Sequence, residues 1–381
     1  MELLYFFLTL ITLHYAYFIG SIYLGLVNLR RKQRTRQKVE ESTKYFVSII
    51  IPFRNEADVI LQNLRSVEQL NYPKDSFEVI YVDDNSEDNS FDLIKQNIQK
   101  TNISVVKLPD NSNHTANKKK AIEYGISLSK GEIIFTSDAD CTYNSDWINT
   151  MIATINDKVG LVAGPVDFAV SNSVLSRIQQ IEHAGLILTG AGLIGISNPI
   201  ICSGANIAFR KELFYKIGGY SGYSKLASGD DSFLMTKLFY DTEYEVQFCF
   251  NKAAMVETQP SKNIREFLNQ RKRWVGKAFF YRKKRILLQV VLLALFLIFL
   301  PVELILGLIG YSVLLYFFFG GLIVKIIFEY LVMYFGSQTI YESEMMKSFW
   351  LAEAFHIPYT IFASISGIFG KFNWKGRVLK K

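Results

Sequence analysis

Cysteine is scarce in this chain. Cys141, Cys202 and Cys249 are widely spaced and form no C-x-x-C pair, which excludes a disulfide framework and a zinc ribbon and points to a reducing compartment. Charge is thin as well: Asp, Glu, Lys and Arg make up 20% of the 381 residues, whereas half are apolar and 14% aromatic, a balance that excludes intrinsic disorder. No internal repeat or low-complexity tract breaks the sequence, so a solenoid or repeat array is excluded too. A dispersed basic surface is also missing. Of the formal net charge of +7, the clusters Arg30 to Lys44 and Lys262 to Arg285 contribute +5 and +9, leaving the remainder at −7. That remainder offers no electrostatic footprint for nucleic acid.

What is present is a set of long apolar runs, each beside one of those clusters. Leu3 to Val27 is apolar apart from His14 and a few hydroxyls, and about 20 such residues cross a bilayer as a helix. Basic residues follow this run instead of preceding it, which excludes a cleaved signal peptide and places the next segment in the cytoplasm by the positive-inside rule. Ile286 to Phe335 is long enough for two spans, with a turn near Gly307 to Gly310. Phe349 to Phe369 carries Glu353, His356 and Pro358 and is followed by a basic tail. A full crossing would put that tail outside, so an interfacial or re-entrant segment is expected. Lys325 and Glu329 stand four apart, either as a polar pathway or as an ion pair facing other helices.

Between the anchors, strand-like runs alternate with amphipathic stretches, the pattern of an α/β domain built on a parallel sheet. Phe46 to Ile51 reads as a strand stopped by Pro52, Glu56 to Leu70 as a helix, Phe77 to Val82 as a strand ending in Asp83-Asp84, and Glu132 to Thr136 as a strand ending in Asp138-Ala139-Asp140. Ligands of open α/β sheets sit beyond such carboxyl ends. The expected organisation is an N-terminal membrane helix (1–29), a basic linker (30–44), the α/β domain (45–263), an interfacial helix (264–285), two membrane helices (286–335), a third hydrophobic segment (348–370) and a basic tail (371–381).

Several residues are suited to chemistry. Asp138 and Asp140 share one face of an extended segment, which suits Mg²⁺ or Mn²⁺ with phosphate oxygens completing the shell; the same pair would serve a turn or a helix cap. Asp84 could accept the imide N–H of a uracil or cap a helix. Lys118 to Lys120, read as a polar loop, could screen a diphosphate or lie on a solvated face. Asp230 and Asp231 precede an apolar helix, where one carboxylate could act as general base or as an N-cap. Gln270-Arg271-Lys272-Arg273-Trp274 suits a bilayer interface or stacking on a sugar or base. Val174 to Ile200, apolar with interspersed glycines, could line an acceptor entrance or be ordinary buried helix. Two patterns mislead. Gly190 to Gly195 matches G-x-G-x-x-G but lies outside any clear βαβ unit, and Gly229-Asp230-Asp231 lacks the basic channel of a polymerase.

Taken in order, Ser48 to Pro52 with Asn55-Glu56, Asp83-Asp84, the basic stretch at Lys118, Asp138-Ala139-Asp140, Gly204-Ala205-Asn206 with Ala208-Phe209-Arg210, Asp230-Asp231 and Gln270-x-x-Arg273-Trp274 resemble the membrane-embedded family 2 glycosyltransferases. That group contains cellulose, hyaluronan, chitin and poly-N-acetylglucosamine synthases and ceramide glucosyltransferase. The resemblance covers about residues 45 to 280. It implies a GT-A fold, a Rossmann-like mixed sheet that binds a nucleotide sugar, usually UDP-linked, with Mg²⁺ or Mn²⁺.

By the same resemblance Glu56 and Asp84 hold the uridine, Lys118 the diphosphate, and Asp138 the nucleotide or donor sugar. Asp140 binds the metal and Asp231, with Asp230 beside it, is the catalytic base. Gln270, Arg273, Trp274, Gly204 and Asn206 contact donor or acceptor. The chain departs from the family in having Asp230 where Glu is usual and Asn117 where Gly is usual before the lysine. A single base without a carboxylate nucleophile implies inversion. The expected acceptor is a growing polysaccharide, with membrane lipids around the protein and export or assembly subunits as possible partners. The alternatives are a single transfer to a membrane lipid, or a non-catalytic nucleotide- or glycan-binding subunit of an export complex.

Overall fold

The computed structural model describes the chain except residues 37–44, 110–117, 170, 172, 224–228, 277–282, 370–371, 375–376 and 380–381. Most of the basic linker, Asn117 and much of the basic tail therefore lie outside the described residues.

The chain opens with α1 (Glu2–Arg36) and enters an α/β domain: β1 (Val47–Phe53), α2 (Ile60–Glu68), β2 (Phe77–Asp83), α3 (Ser90–Asn97), β3 (Ile103–Lys107), α4 (Lys118–Leu128) and β4 (Ile133–Thr136). There follow β5 (Thr142–Tyr143), α5 (Trp147–Ile152), β6 (Val159–Ala163), β7 (Val166–Phe168), α6 (Val174–Gly195), β8 (Ile207–Arg210), α7 (Lys211–Lys216), α8 (Ser232–Asp241), β9 (Glu245–Phe248) and β10 (Val256–Thr258). The last elements are α9 (Ile264–Gly276), α10 (Lys284–Leu308), α11 (Val313–Ser337), α12 (Phe349–Phe369), β11 (Phe372–Trp374) and β12 (Arg377–Leu379).

Seven strands form the main sheet in the order β3-β2-β1-β4-β8-β6-β9. β1 pairs in parallel with β2 and β4, whereas β8 runs antiparallel to both β4 and β6, so the sheet is mixed. All seven residues of β1 are buried, as befits a central strand covered on both faces. The order reverses between β1 and β4, and their carboxyl ends open a crevice at that switch point. A second sheet, β5-β10-β7, stands beside it.

Pro52 does not stop β1. Pairing with β4 ends at Ile50, whose carbonyl accepts from Ser137 N–H on that side, and Pro52 lies two residues on, where no partner asks for the N–H it lacks. β1 therefore continues beside β2 to Phe53. α2 begins later than Glu56 because Asn55 takes a left-handed φ of 52° and the chain must turn before it can coil. Lys118, Lys119 and Lys120 form the first turn of α4 and not a loop.

Among the described residues three helices, α1, α10 and α11, are long and apolar enough to cross a membrane. α1 crosses α6 at backbone contact: a Cβ on Gly192 would lie 2.5 Å from the Ile22 carbonyl oxygen, and Gly25 and Gly195 are as tightly placed. Such small-residue crossings are typical of membrane helices, and they give Gly190-x-Gly192-x-x-Gly195 a packing role. One hydrophobic core joins Ile22 and Leu26 of α1, Val332 and Met333 of α11 and the central strands, so the membrane helices and the sheet are packed together. Lys325, fully buried, bonds Glu329 at 2.9 Å and Glu353 of α12 at 2.5 Å, so this pair faces another helix. α12 is a continuous helix.

Candidate active site

A cavity of about 760 Å³ opens where β1 and β4 end, roofed by α9 and flanked by α6 and α12. At one end it is lined by Phe53, Arg54, Glu56 and Asp84. Asp84 follows β2, and its N–H donates to the Phe53 carbonyl at 2.8 Å, which fixes it across the mouth of β1. Arg54, which the sequence motifs did not single out, is buried and donates to the Asp84 carbonyl at 2.8 Å, to the Asn85 carbonyl and to Glu87 at 2.7 Å. A guanidinium fork thus braces the loop that carries Asp84.

The centre is a carboxylate cluster around one lysine. Lys118 Nζ lies 2.7 Å from Asp138 Oδ1 and 3.0 Å from Asp230 Oδ2. Burial alone would lower the Lys118 pKa, but Asp138 and Asp230 outweigh it and hold the ammonium well above its ordinary value. The converse holds for Asp230: burial would raise it, yet Lys118 and Lys119 keep it well below the usual carboxylate range.

Asp231 caps α8. Its Oδ2 accepts from Gly204 N–H at 3.1 Å and its other oxygen accepts from Ser232 N–H. The helix-cap role and a place on the cavity wall are therefore held by the same carboxylate. A Cβ on Gly204 would lie 3.1 Å from Asp230 Oδ2 and crowd that carboxylate. Asp138 and Asp140 both reach the wall, and with Asp230 they offer only oxygen ligands, a donor set that fits Mg²⁺ or Mn²⁺.

α9 closes the cavity with Gln270, Arg271, Arg273 and Trp274. Burial lowers the pKa of Arg273, opposed by Asp230, Asp138, Asp231 and Asp140; a guanidinium stays charged there and faces the carboxylate cluster. Arg271 is held by Glu182 of α6, Nε to Oε1 at 2.8 Å with a second, shorter contact, donates to Gln270 at 2.5 Å, and lies over Trp274 at 4.3 Å from the ring centroid. His183 stacks on Phe168 at 4.3 Å, and burial, then Arg271, pushes its pKa down to about 3, so the ring is neutral.

The cavity wall thus brings together Glu56, Asp84, Lys118, Asp138, Asp140 and Gly204 with Asp230, Asp231, Gln270, Arg273 and Trp274. Asn206 is elsewhere. It is fully buried, accepts from Trp147 Nε1 at 2.9 Å and donates to the Pro165 and Ala254 carbonyls, both at 2.8 Å; every polar atom of its side chain is used in knitting β8 to its neighbours. Sequence reasoning missed Arg54, Glu182, His183 and, on α12, His356, Tyr359 and Thr360, all of which line the cavity.

A family model described as Glycosyl transferase family 21 matches residues 12–380. A probable glycosyltransferase of Bacillus subtilis, YdaM, is 28% identical over 64% of this chain and 57% of its own length. Glycosyltransferase AglE of Haloferax volcanii is 28% identical over 62% of this chain and 73% of its own length. A poly-β-1,6-N-acetyl-D-glucosamine synthase of Staphylococcus epidermidis is 29% identical over 52% of this chain and 48% of its own. The chain therefore spans about half to three quarters of the curated relatives it matches. The solved mannosyltransferase PcManGT of Pyrobaculum calidifontis, in complex with GDP-Man and Mn²⁺, has the same fold, with a TM-score of 0.55 over 95% of this chain and 99% of that one at 18% identity. The mixed α/β sheet is thus a glycosyltransferase fold, and the chain belongs to glycosyl transferase family 21.

Proposed function

We propose that this protein transfers a sugar from a UDP-linked nucleotide sugar to an acceptor hydroxyl at the cytoplasmic face of a membrane. The single observation that carries this is the meeting of Asp138, Asp140, Asp230 and Asp231 with Lys118 and Arg273 in one cavity at the carboxyl end of the sheet. Glu56 and Asp84 would receive the uridine, Asp84 by accepting the imide N–H. Lys118 and Arg273 supply the positive charge that a departing diphosphate needs.

Asp231 takes the proton of the acceptor hydroxyl as its oxygen bonds to the anomeric carbon. The bond from that carbon to the diphosphate oxygen breaks, and the electron pair leaves with the diphosphate. One displacement inverts the anomeric centre. Asp138 and Asp140 would hold a divalent cation, which when bound neutralises charge building on the diphosphate.

Two acceptors are favoured by different observations. The apolar side of the cavity, where Leu186, Ile187 and Gly190 of α6 face Ala363 of α12, favours a single transfer to a hydroxyl-bearing membrane lipid. Similarity to poly-β-1,6-N-acetyl-D-glucosamine synthases over 52% of the chain favours extension of a polysaccharide. Thermal-shift titration with UDP and GDP in the presence of Mn²⁺ tests the donor assignment: UDP is expected to stabilise the protein, and stabilisation by GDP alone would refute the role given to Asp84. Incubation with radiolabelled UDP-sugars and membranes then separates the acceptors, as solvent-extractable product or as high-mass polymer. No turnover on any nucleotide sugar would leave the non-catalytic role.

A further inference from the structure

α12 is two-faced. His356, Tyr359, Thr360 and Ala363 line the cavity at the i, i+3, i+4, i+7 spacing of one helical face. Leu351 and Ile365 lie on the opposite face and are exposed, as they would be against lipid. A single helix therefore separates the cavity from the apolar exterior. The inner face is polar toward His356 and apolar at Ala363, an order that matches an amphiphile with a polar head and an apolar tail.

The polar end is fixed in place by a buried ionic cluster. Lys325 Nζ of α11 contacts Glu329 at 2.9 Å, Glu353 at 2.5 Å and His356 Nδ1 at 3.1 Å, and Tyr15 of α1 donates to Glu329. Glu329, Glu353 and His356 are close enough to one another to hold a metal ion, but the Lys325 ammonium occupies their centre and supplies the positive charge itself. His356 Nδ1 also stands 3.4 Å from Glu329 Oε2, so this ring nitrogen is engaged by the cluster and Nε2 is the ring's polar atom for the cavity wall. Beside it, the Tyr359 ring packs edge-on against Phe267 of α9 with centroids 5.5 Å apart, and the Arg271 guanidinium lies over the same Phe267 ring at 4.5 Å. The inner face of α12 is thus tied to α9, which carries the residues closing over the carboxylate cluster.

We propose that His356 and Thr360 form a subsite for the polar head of a hydroxyl-bearing membrane lipid acceptor, with the tail running past Ala363 and Leu186 toward the bilayer. The proposal deepens the lipid form of the function above and rests on it. His356 Nε2 and the Thr360 hydroxyl bind the head and orient its reacting hydroxyl toward Asp231. They are binding groups and move no proton in the transfer.

The test uses the full chain in phosphatidylcholine nanodiscs doped with graded amounts of total lipid extract from the host membranes, with radiolabelled UDP-sugar as donor. Thr360→Val and His356→Phe are expected to lower label transfer into solvent-extractable lipid about tenfold at low extract, the order expected for one lost hydrogen bond. The loss should be an increase in the apparent KM for the extract, with maximal rate and UDP-induced thermal shift unchanged. Thr360→Ser is expected to restore transfer, and Ile365→Ala on the outer face to leave it intact. Unchanged transfer in both variants overturns the proposal, as does a parallel loss of UDP stabilisation, which would mean that α12 only supports the fold. Wild-type label found in polymer and absent from lipid overturns the choice of acceptor while leaving the donor site standing. A wild-type protein that UDP fails to stabilise refutes the donor reading itself.

Discussion

Replacing Asp231 with Asn separates chemistry from folding because the carboxylate that caps α8 is also the one proposed as the base. As a cap it accepts from the N–H groups of Gly204, at 3.1 Å, and Ser232. Asn keeps one of these through its oxygen and turns an N–H₂ toward the other, so the structural cost is about one charge-assisted hydrogen bond, roughly 1.5–3 kcal/mol, reduced because Asn is itself a good N-cap. Removing a general base costs about 10²–10⁴ in rate, or roughly 3–5 kcal/mol on the barrier. The D231N protein should therefore remain folded and keep its UDP-induced thermal shift while kcat falls by about 10²–10⁴. Donor KM should stay within about threefold, because the nucleotide end of the cavity at Glu56 and Asp84 is untouched. Initial rates of UDP release at saturating donor and acceptor, measured beside the thermal shift, check this. Retention of more than about a tenth of wild-type kcat would refute Asp231 as the base.

Asp167, next to the cavity on β7, carries a pKa raised to about 6, mainly by burial, with Gln180 and the Phe168 N–H opposing. A carboxyl raised in the folded state favours folding while protonated and loses that contribution as pH rises through about 6. D167N should accordingly raise the thermal midpoint above pH 7, by an amount corresponding to about 3 kcal/mol, and match the wild type near pH 4; no gain at high pH would contradict the burial argument. Gly192→Val puts side-chain atoms into the Ile22 backbone at the α1–α6 crossing and should cost about 1–3 kcal/mol or more. It would appear as a lower melting temperature in detergent, and an unchanged midpoint would mean that the crossing is looser than described.

What the sequence determined by itself is local. Hydropathy runs mark α1, α10 and α11 because about 20 apolar residues suffice to span a bilayer, and acidic residues after strand-like runs mark the ends of β2 and β4 because side-chain period and turn chemistry depend on near neighbours. The order of motifs from Glu56 to Trp274 carried the family resemblance for the same reason. Pairings between distant residues were decided only by tertiary structure. Lys118 reads as a loop lysine until the fold sets it 2.7 Å from Asp138 and 3.0 Å from Asp230. Asn206 has motif-like surroundings, yet packing turns it toward Trp147, Pro165 and Ala254. Likewise nothing in the spacing of Glu182 and Arg271, or of Lys325 and Glu353, announces that they meet. Only chain packing fixes which face of α12 meets the cavity, since periodicity defines a face but not its neighbour.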